Sequence, residues 1–344
     1  MRRKFASLDT TNKLLMLLVL PVLVVILKEL SNIFVPLVIA CFFSLLFMPF
    51  LRWTTRKNIP RWIAIIVVFV FFFLIVHACL LILQLASQEI RSADTQTWVS
   101  IFSSAKMFVI NILALAGFSE ATVMEHFGDF DLMTTVYDHM GLVFNSIRRT
   151  FSIVFLSLFF MILLLASSFR GERFLEVFIL KDKTSSMRTY ITIEKSISKF
   201  ILVKLIISLA TGISFSVLCY CFDVQFPIFW GLLAFILNFI QMIGSIISTA
   251  IMCLFALTQI PTMSMILLFI LIAVALQILF GSVLEPIFMG RTFSINTVTI
   301  IVMLLVWGYI WNIPGMILAV PLTVMVKTIL EQFVKTRPIA ELMS

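Results

Sequence analysis

The sequence predicts an all-α polytopic integral membrane protein, and its composition and hydropathy pattern support this fold class. The chain is 62% hydrophobic and 12% charged, with a mean hydropathy of +1.15. A soluble domain has about 25% charged residues, so this chain has too little polar surface to cover a globule in water. The apolar runs at 62–83 and 151–166 are continuous, whereas barrel strands alternate apolar and polar residues. A soluble enzyme and a disordered chain are excluded.

The order of apolar and polar stretches predicts about six full transmembrane helices, two broken helical hairpins and one amphipathic extramembrane insertion. The N-terminal region 1–85 is expected to contain helices at about 14–30, 33–50 and 62–85. The region 151–221 is expected to contain helices at about 151–169 and 201–221, joined by a basic connection at 170–200. The remaining parts are the amphipathic insertion 86–150, the transport core 222–330 with one full span at 264–284, and the tail 331–344. Helical apolar spacing in the insertion favours helices that lie along the membrane.

The distribution of Lys and Arg predicts the orientation of the chain. Basic residues accumulate in cytoplasmic loops. The N-terminal arm, 52–61, 170–199 and the tail are the basic segments, so both termini are expected in the cytoplasm and 86–150 outside. The net charge of +8 is explained by these loops. No basic patch is interleaved with aromatic residues on a polar domain, so nucleic acid is not an expected partner. The expected surroundings are a lipid bilayer.

Two apolar segments in the second half, 227–257 and 296–326, are interrupted by polar, Gly and Pro residues. The first run, 227–240, gives only about 21 Å of helix, less than the roughly 30 Å of a bilayer core. Interrupted segments of this kind are the best sequence indication of a transporter's binding site. Each segment is either a re-entrant hairpin or a pair of short spans; we favour hairpins that enter from opposite sides and meet near the midplane.

Polar and aromatic residues at the two breaks are the candidate substrate-binding residues. The set is Asn238, Gln241, Gly244, Ser245, Asn312, Pro314, Gly315, Trp307 and Trp311. Unwound backbone and side-chain amides offer donors and acceptors that suit a hydroxylated solute. The competing interpretation is that the amides satisfy their own broken helices and that the Trp side chains anchor at the membrane interface.

Few charges occur between 222 and 326, and two of them are candidates for coupling or gating. Glu285 and Arg291 are predicted to form an ion pair that locks one conformational state of the transporter. Alternatively, Glu285 is predicted to couple transport to protons. The alternative is that both mark a helix end at the cytoplasmic boundary. Lys204, one turn inside the predicted fifth helix, is expected to snorkel to the interface. No enzyme motif, metal-ligand spacing or phosphate-binding loop is present, so the sequence predicts no enzyme, no metal and no cofactor.

Three segments carry a resemblance to a known family. PIFWGLLAFILNFIQMIGSIIS (227–248), LEPIFMGR (284–291) and VWGYIWNIPGMILAVPLT (306–323) resemble the signature blocks of the AI-2E family, the autoinducer-2 exporter or PerM-like permeases. The resemblance implies a bacterial inner-membrane protein that moves a small polar solute by secondary transport, with the quorum-sensing signal autoinducer-2 as the named substrate. It also implies a homo-oligomer, and a pentamer is the expected assembly.

The sequence departs from the pattern of this family at three positions. The family usually has Pro where Gln241 stands, often Gly where Asn312 stands, and usually Pro near Thr297. Either substrate choice has changed or hydrogen bonds hold the two breaks in shape in place of Pro and Gly.

Three hypotheses of function follow. The first is export of a small polar solute by alternating access. The second is a sodium- or lithium–proton antiporter, since other members of the family have been assigned that activity. The third is a non-transporting scaffold for envelope partners that works through 86–150.

Overall fold

The computed structural model describes most of the helical core of the chain. It describes residues 18–19, 21–92, 98–99, 103–104, 107, 153–166, 183–290, 295–333 and 336–343. Within these residues the chain is helical apart from turns and short connections, and contains no strand. Most of the predicted insertion 86–150, together with Arg291, lies outside the described residues.

Eleven helices are named here in chain order. They are α1 (21–29), α2 (Ser31–Arg56), α3 (Arg61–Ser92), α4 (Ile153–Ala166), α5 (Lys183–Cys221), α6 (Pro227–Leu237), α7 (Ile243–Ala256), α8 (Met263–Gln277), α9 (Glu285–Met289), α10 (Thr297–Leu330) and α11 (Arg337–Leu342). A π-helical turn, Ile278–Leu284, joins α8 to α9.

Five helical segments in the described residues are long and apolar enough to cross a membrane. They are Ser31–Arg56, Arg61–Ile90, Met187–Cys221, Met263–Met289 and Thr297–Leu330. The count of six full spans is therefore not reached within the described residues. The predicted helices near 14–30 and 151–169 are described only in part, as 21–29 and the 14-residue apolar helix Ile153–Ala166. The all-helical, multi-span class predicted from composition is confirmed.

The described residues divide into two compact units. The terminal unit is drawn from 1–69, 152–198 and 293–344, and the central unit from 70–151 and 199–292. Each is described by itself below.

Polar contacts join the helices of the terminal unit at several points. The Arg52 guanidinium of α2 donates to the Glu194 carboxylate of α5. Ser198 Oγ donates to the Leu45 carbonyl oxygen at 3.2 Å, and Arg61 Nη2 donates to the Leu165 carbonyl oxygen at 2.8 Å. The basic residues expected in cytoplasmic loops thus fix helix ends to each other.

The central unit is built around a core from α5, α6, α7 and α8. Phe215, Cys219 and Phe269 are fully buried within it. Aromatic rings continue the core toward the start of α6, where Trp98 stacks on Phe226 at 5.3 Å between ring centroids.

Two glycines allow α5 and α6 to lie in close contact. A β-carbon on Gly212 would lie 2.7 Å from the Gly231 carbonyl oxygen, and one on Gly231 would lie 2.6 Å from the Gly212 carbonyl oxygen. Real β-carbons do not approach backbone atoms so closely, so the two backbones are in direct contact. This contact holds the first arm of the 227–257 segment against α5.

Gly212→Ala is expected to destabilise the protein by about 1–3 kcal/mol, because the added methyl group forces α5 and α6 apart. The measurement is thermal unfolding of the purified full-length protein in detergent. Gly281→Ala is the matched control, since a β-carbon there would meet only the flexible end of Gln277, at 3.1 Å. Equal unfolding temperatures for Gly212→Ala and wild type would show that the two helices are not in backbone contact.

Candidate functional site

Lys204 is buried within α5, four residues after the start of its apolar stretch at Phe200. α5 begins at Lys183, well before the predicted start at 201, so Lys204 lies halfway along the span Met187–Cys221. Its exposed fraction is 1%. The prediction that Lys204 snorkels to the interface is therefore wrong. The hydropathy pattern placed the start of the helix too late, and this put Lys204 too near the helix end.

The Lys204 ammonium forms a buried ion pair with Glu285 and also contacts the first break. Lys204 Nζ lies 2.8 Å from Glu285 Oε1 and 3.0 Å from Glu285 Oε2. It also donates to Gln241 Oε1 at 3.1 Å. A buried charge is strongly disfavoured unless it is paired and hydrogen-bonded. Here each charge compensates the other, and Gln241 accepts a third bond from the ammonium.

Glu285 reaches this position through the end of the span that begins at α8. The π-helical turn Ile278–Leu284 precedes it directly, and Pro286 follows it as the second residue of α9. Its exposed fraction is 4%. The predicted partner of Glu285, Arg291, lies outside the described residues. The ion pair that the structure describes for Glu285 is with Lys204.

The segment 227–257 is broken where the sequence predicts. α6 ends at Leu237 and α7 begins at Ile243, and Met242 between them has a φ of 59°. Gly244 packs so closely on the Leu237 carbonyl oxygen that a β-carbon would overlap with it. In a continuous helix these residues would be about 10 Å apart along the axis. The chain therefore folds back on itself, and α6 and α7 form a helical hairpin.

Two of the four candidate residues at this break are bonded to α5. Asn238 has an exposed fraction of 2% and donates from Nδ2 to Ser208 Oγ at 3.0 Å. Ser208 lies one turn beyond Lys204, so Gln241 and Asn238 contact successive polar side chains on one face of α5. Ser245 Oγ donates to the Met242 carbonyl oxygen at 3.0 Å and Gly244 is buried. These last two residues satisfy and close the break itself.

The second candidate segment belongs to the terminal unit and is also broken. Within α10, Trp311 and Asn312 have non-helical backbone angles, and the φ of Asn312 is 53°. Gly315 packs on the Trp307 carbonyl oxygen so closely that a β-carbon would overlap with it, and one on Gly308 would lie 2.9 Å from Met316. The pairs are eight residues apart in sequence, so α10 turns back sharply at this break and is not one continuous rod, although Thr297–Leu330 as a whole is long and apolar enough for a span. The two parts of α10 on either side of the break are called the second hairpin.

The aromatic residues of the second break contact the junction between α1 and α2. Trp311 Nε1 donates to the Leu27 carbonyl oxygen at 2.9 Å, and the rings of Trp307 and Trp311 are 5.5 Å apart. Lys28 Nζ lies 3.9 Å from the centre of the Tyr309 ring. The Asn312 side chain is exposed, and Pro314 is half-buried. Trp311 thus satisfies a backbone oxygen at the turn around Leu30.

A family comparison covers both hairpins and the ion pair. Residues 14–335 match the family model described as AI-2E family transporter. The chain belongs to the AI-2E transporter family. The resemblance seen in the three sequence blocks is therefore confirmed.

Individual relatives match this AI-2E transporter over most of its length. It is 26% identical to the AI-2 transport protein TqsA of Escherichia coli strain K12 over 350 residues, which cover 97% of each chain. It is 25% identical over 331 residues to the putative transport protein YhhT of the same strain, covering 92% of this chain and 90% of YhhT. It is 26% identical over 329 residues to the putative transport protein YrrI of Bacillus subtilis strain 168, covering 89% and 88%.

The family and these relatives are transport proteins and not enzymes. The AI-2E transporter described here is accordingly a multi-pass membrane transporter.

Sequence reasoning missed three polar residues of the central unit of this AI-2E transporter. Lys204 was assigned to the interface, and Ser208 and Glu89 were not singled out. Glu89 accepts bonds at the start of α6, from the Ile228 N–H at 3.3 Å and the Phe229 N–H at 3.1 Å. A carboxylate at a helix N-terminus satisfies unpaired N–H groups and favours the helix dipole. Glu89 therefore fixes the first arm of the hairpin at the end opposite to Gln241.

Proposed function

We propose that this protein is a secondary transporter that exports a small polar solute by alternating access, with the tip of the 227–257 hairpin as part of the solute site. The observation that carries the proposal is the buried contact between Lys204, Glu285 and Gln241. Intramembrane charges are costly and mark transport pathways. In this proposal the buried ion pair at the tip of the broken hairpin is made in one state of the transport cycle and broken in the other.

The amides of Asn238 and Gln241 are the proposed solute-binding groups of this hairpin. In the described state Asn238 bonds to Ser208 and Gln241 bonds to Lys204. A solute hydroxyl can take over either bond, because amides and hydroxyls both donate and accept. Solute binding would then replace contacts that hold the hairpin against α5, with Gly244 and Ser245 keeping the tip in shape.

Glu285 is the proposed coupling group. Protonation of its carboxylate removes the charge that Lys204 compensates, which releases α9 from α5 and frees Gln241. Among the described charged groups, Lys204 of α5 bonds to Glu285, and Lys199 Nζ of the same helix lies against Gly290, five residues after Glu285. Arg291 is proposed to join this gate.

The second hairpin is proposed as a further solute-binding segment. Asn312 at its tip carries an exposed amide, and Pro314 and Gly315 shape the turn. Trp307 is half-buried and offers a ring face on which a solute ring can stack, whereas Trp311 is 4% exposed and offers none in this state.

The proposed substrate class includes autoinducer-2, because the relative TqsA is an AI-2 transport protein. A small polyhydroxylated molecule suits the amide groups of the first break. We further propose an inner-membrane location, cytoplasmic termini and a homo-oligomer such as a pentamer, following the charge distribution and the family resemblance.

The test is export of autoinducer-2 from cells that make the signal, comparing wild type with Glu285→Gln and Asn238→Ala. Wild type is expected to raise the external concentration of the signal. Glu285→Gln is expected to lower the export rate at least about tenfold and to remove its pH dependence. Asn238→Ala is expected to raise the apparent KM for export. Glu341→Gln is the matched control, because Glu341 pairs with Arg337 on an exposed helix. If Glu285→Gln kept the full pH dependence, Glu285 would not be the coupling group.

A further inference from the structure

The Lys204 ammonium occupies an oxygen-lined position that has the chemistry of a cation site. Glu285 Oε1, Glu285 Oε2 and Gln241 Oε1 lie 2.8, 3.0 and 3.1 Å from Lys204 Nζ. An ammonium has three N–H donors, and here three acceptor oxygens surround it. Its donors and these oxygens are matched one to one, and Lys204 and Glu285 are almost completely buried.

Carboxylate and amide oxygens are also the ligands that hard metal cations prefer. The cluster carries one negative charge, from Glu285, and Lys204 neutralises it. A second cation would face an ammonium at bonding distance from the same oxygens and would be repelled. The described residues contain no cluster of three or more His, Cys, Asp or Glu side chains that could bind a metal ion in another place.

We infer that Lys204 is a tethered cation that fills a monovalent-cation site made by Glu285 and Gln241, and that it excludes sodium from the coupling carboxylate. This inference rests on the proposed role of Glu285 in coupling. It makes Lys204 the residue that determines ion specificity: with Lys204 present Glu285 exchanges only protons, and without it the same three oxygens bind sodium. Sodium–proton antiport is then the activity that Lys204 prevents.

The test is sodium-specific stabilisation of the purified full-length protein in detergent. The unfolding temperature is measured in sodium chloride and in choline chloride at equal ionic strength, for wild type and for Lys204→Met. Wild type is expected to unfold at the same temperature in both salts. Lys204→Met is expected to gain about 2–4 °C for each tenfold rise in sodium once the site begins to fill.

Two matched variants check that the oxygens of this cluster are responsible. Lys204→Met/Glu285→Gln removes the carboxylate as well and is expected to lose the sodium effect. Lys199→Met removes a neighbouring lysine of the same helix and is expected to behave like wild type. Lys204→Gln is a second neutral variant, measured in the same way in case the thioether packs poorly.

A sodium-specific rise in the unfolding temperature of wild type would overturn the inference. It would also be overturned if Lys204→Met and Lys204→Gln both fold but show no such rise. Recovery of folded Lys204→Met only when sodium is present throughout purification supports it, whereas failure of both neutral variants in both salts counts against it. The measurement uses binding and not flux. If Glu285→Gln exported solute with unchanged pH dependence, the coupling proposal would fail while the sodium result would still stand.

Discussion

Lys204→Met, measured without sodium, is expected to destabilise the protein by about 3–5 kcal/mol, because the Glu285 carboxylate stays buried with its charge uncompensated. Thermal unfolding in choline chloride measures the loss. The double variant Lys204→Met/Glu285→Gln is expected to recover most of it, since replacing both partners of a buried pair removes the unpaired charge. Recovery by the double variant distinguishes loss of the ion pair from loss of packing by the lysine stem.

Lys327→Met is the control for this experiment. Lys327 is also largely buried and lies 3.7 Å from Glu331 four residues later, but the Glu331 side chain is 45% exposed. Water can solvate the carboxylate that remains. Loss of this ion pair is therefore expected to lower the free energy of unfolding by less than about 1 kcal/mol. If the two lysine variants lost equal stability, burial of Glu285 would not be the cause of the effect.

Gly315→Ala and Gly244→Ala are expected to lower stability by about 3 kcal/mol or more, at or beyond the upper end of the cost of overpacking. In each hairpin a methyl group would overlap with a backbone carbonyl oxygen, of Trp307 or of Leu237, and a backbone atom cannot move aside as a side chain can. The measurements are the yield of folded protein and its unfolding temperature, with Gly281→Ala as the control.

A Gly315→Ala protein with the unfolding temperature of wild type would mean that the second arm of α10 does not fold back on the first. The same result for Gly244→Ala would mean that α6 and α7 diverge after the break. The two variants test the two hairpins independently, because they lie in different units of the chain.

The breaks in both apolar segments could be predicted from sequence because their cause is local. Polar, Gly and Pro residues interrupt a run that is otherwise apolar, and a helix cannot continue through them at ordinary cost. The structure confirms a break in each segment, at 238–242 and at 311–312. Entry of each hairpin into the membrane from opposite sides stays a prediction.

The ion pair could not be predicted from sequence because its cause is not local. Lys204 and Glu285 are 81 residues apart, and only the packing of α5 against the end of the α8 span brings them together. The nearest sequence signal was the position of Lys204 inside an apolar helix. That signal was misinterpreted because the basic, polar residues before 201 concealed the true start of α5.

Two departures from the family pattern have a physical explanation in the structure. Gln241 stands where the family usually has Pro, and its amide oxygen accepts a bond from Lys204. Asn312 stands where Gly is frequent, and its φ of 53° is a conformation that Asn tolerates better than most residues with a β-carbon. The structure offers no explanation for Thr297. Which of the two sequence-based interpretations applies stays a prediction.

The π-helical turn before Glu285 has a mechanical consequence. Such turns are rare and wider than α-helical ones, and here the turn spans seven residues, Ile278–Leu284. If it tightened to α-helical winding, everything beyond it would rotate about the helix axis, and the Glu285 carboxylate would swing away from the Lys204 ammonium. The pair could then separate by a twist within one helical span while α5 stayed in place.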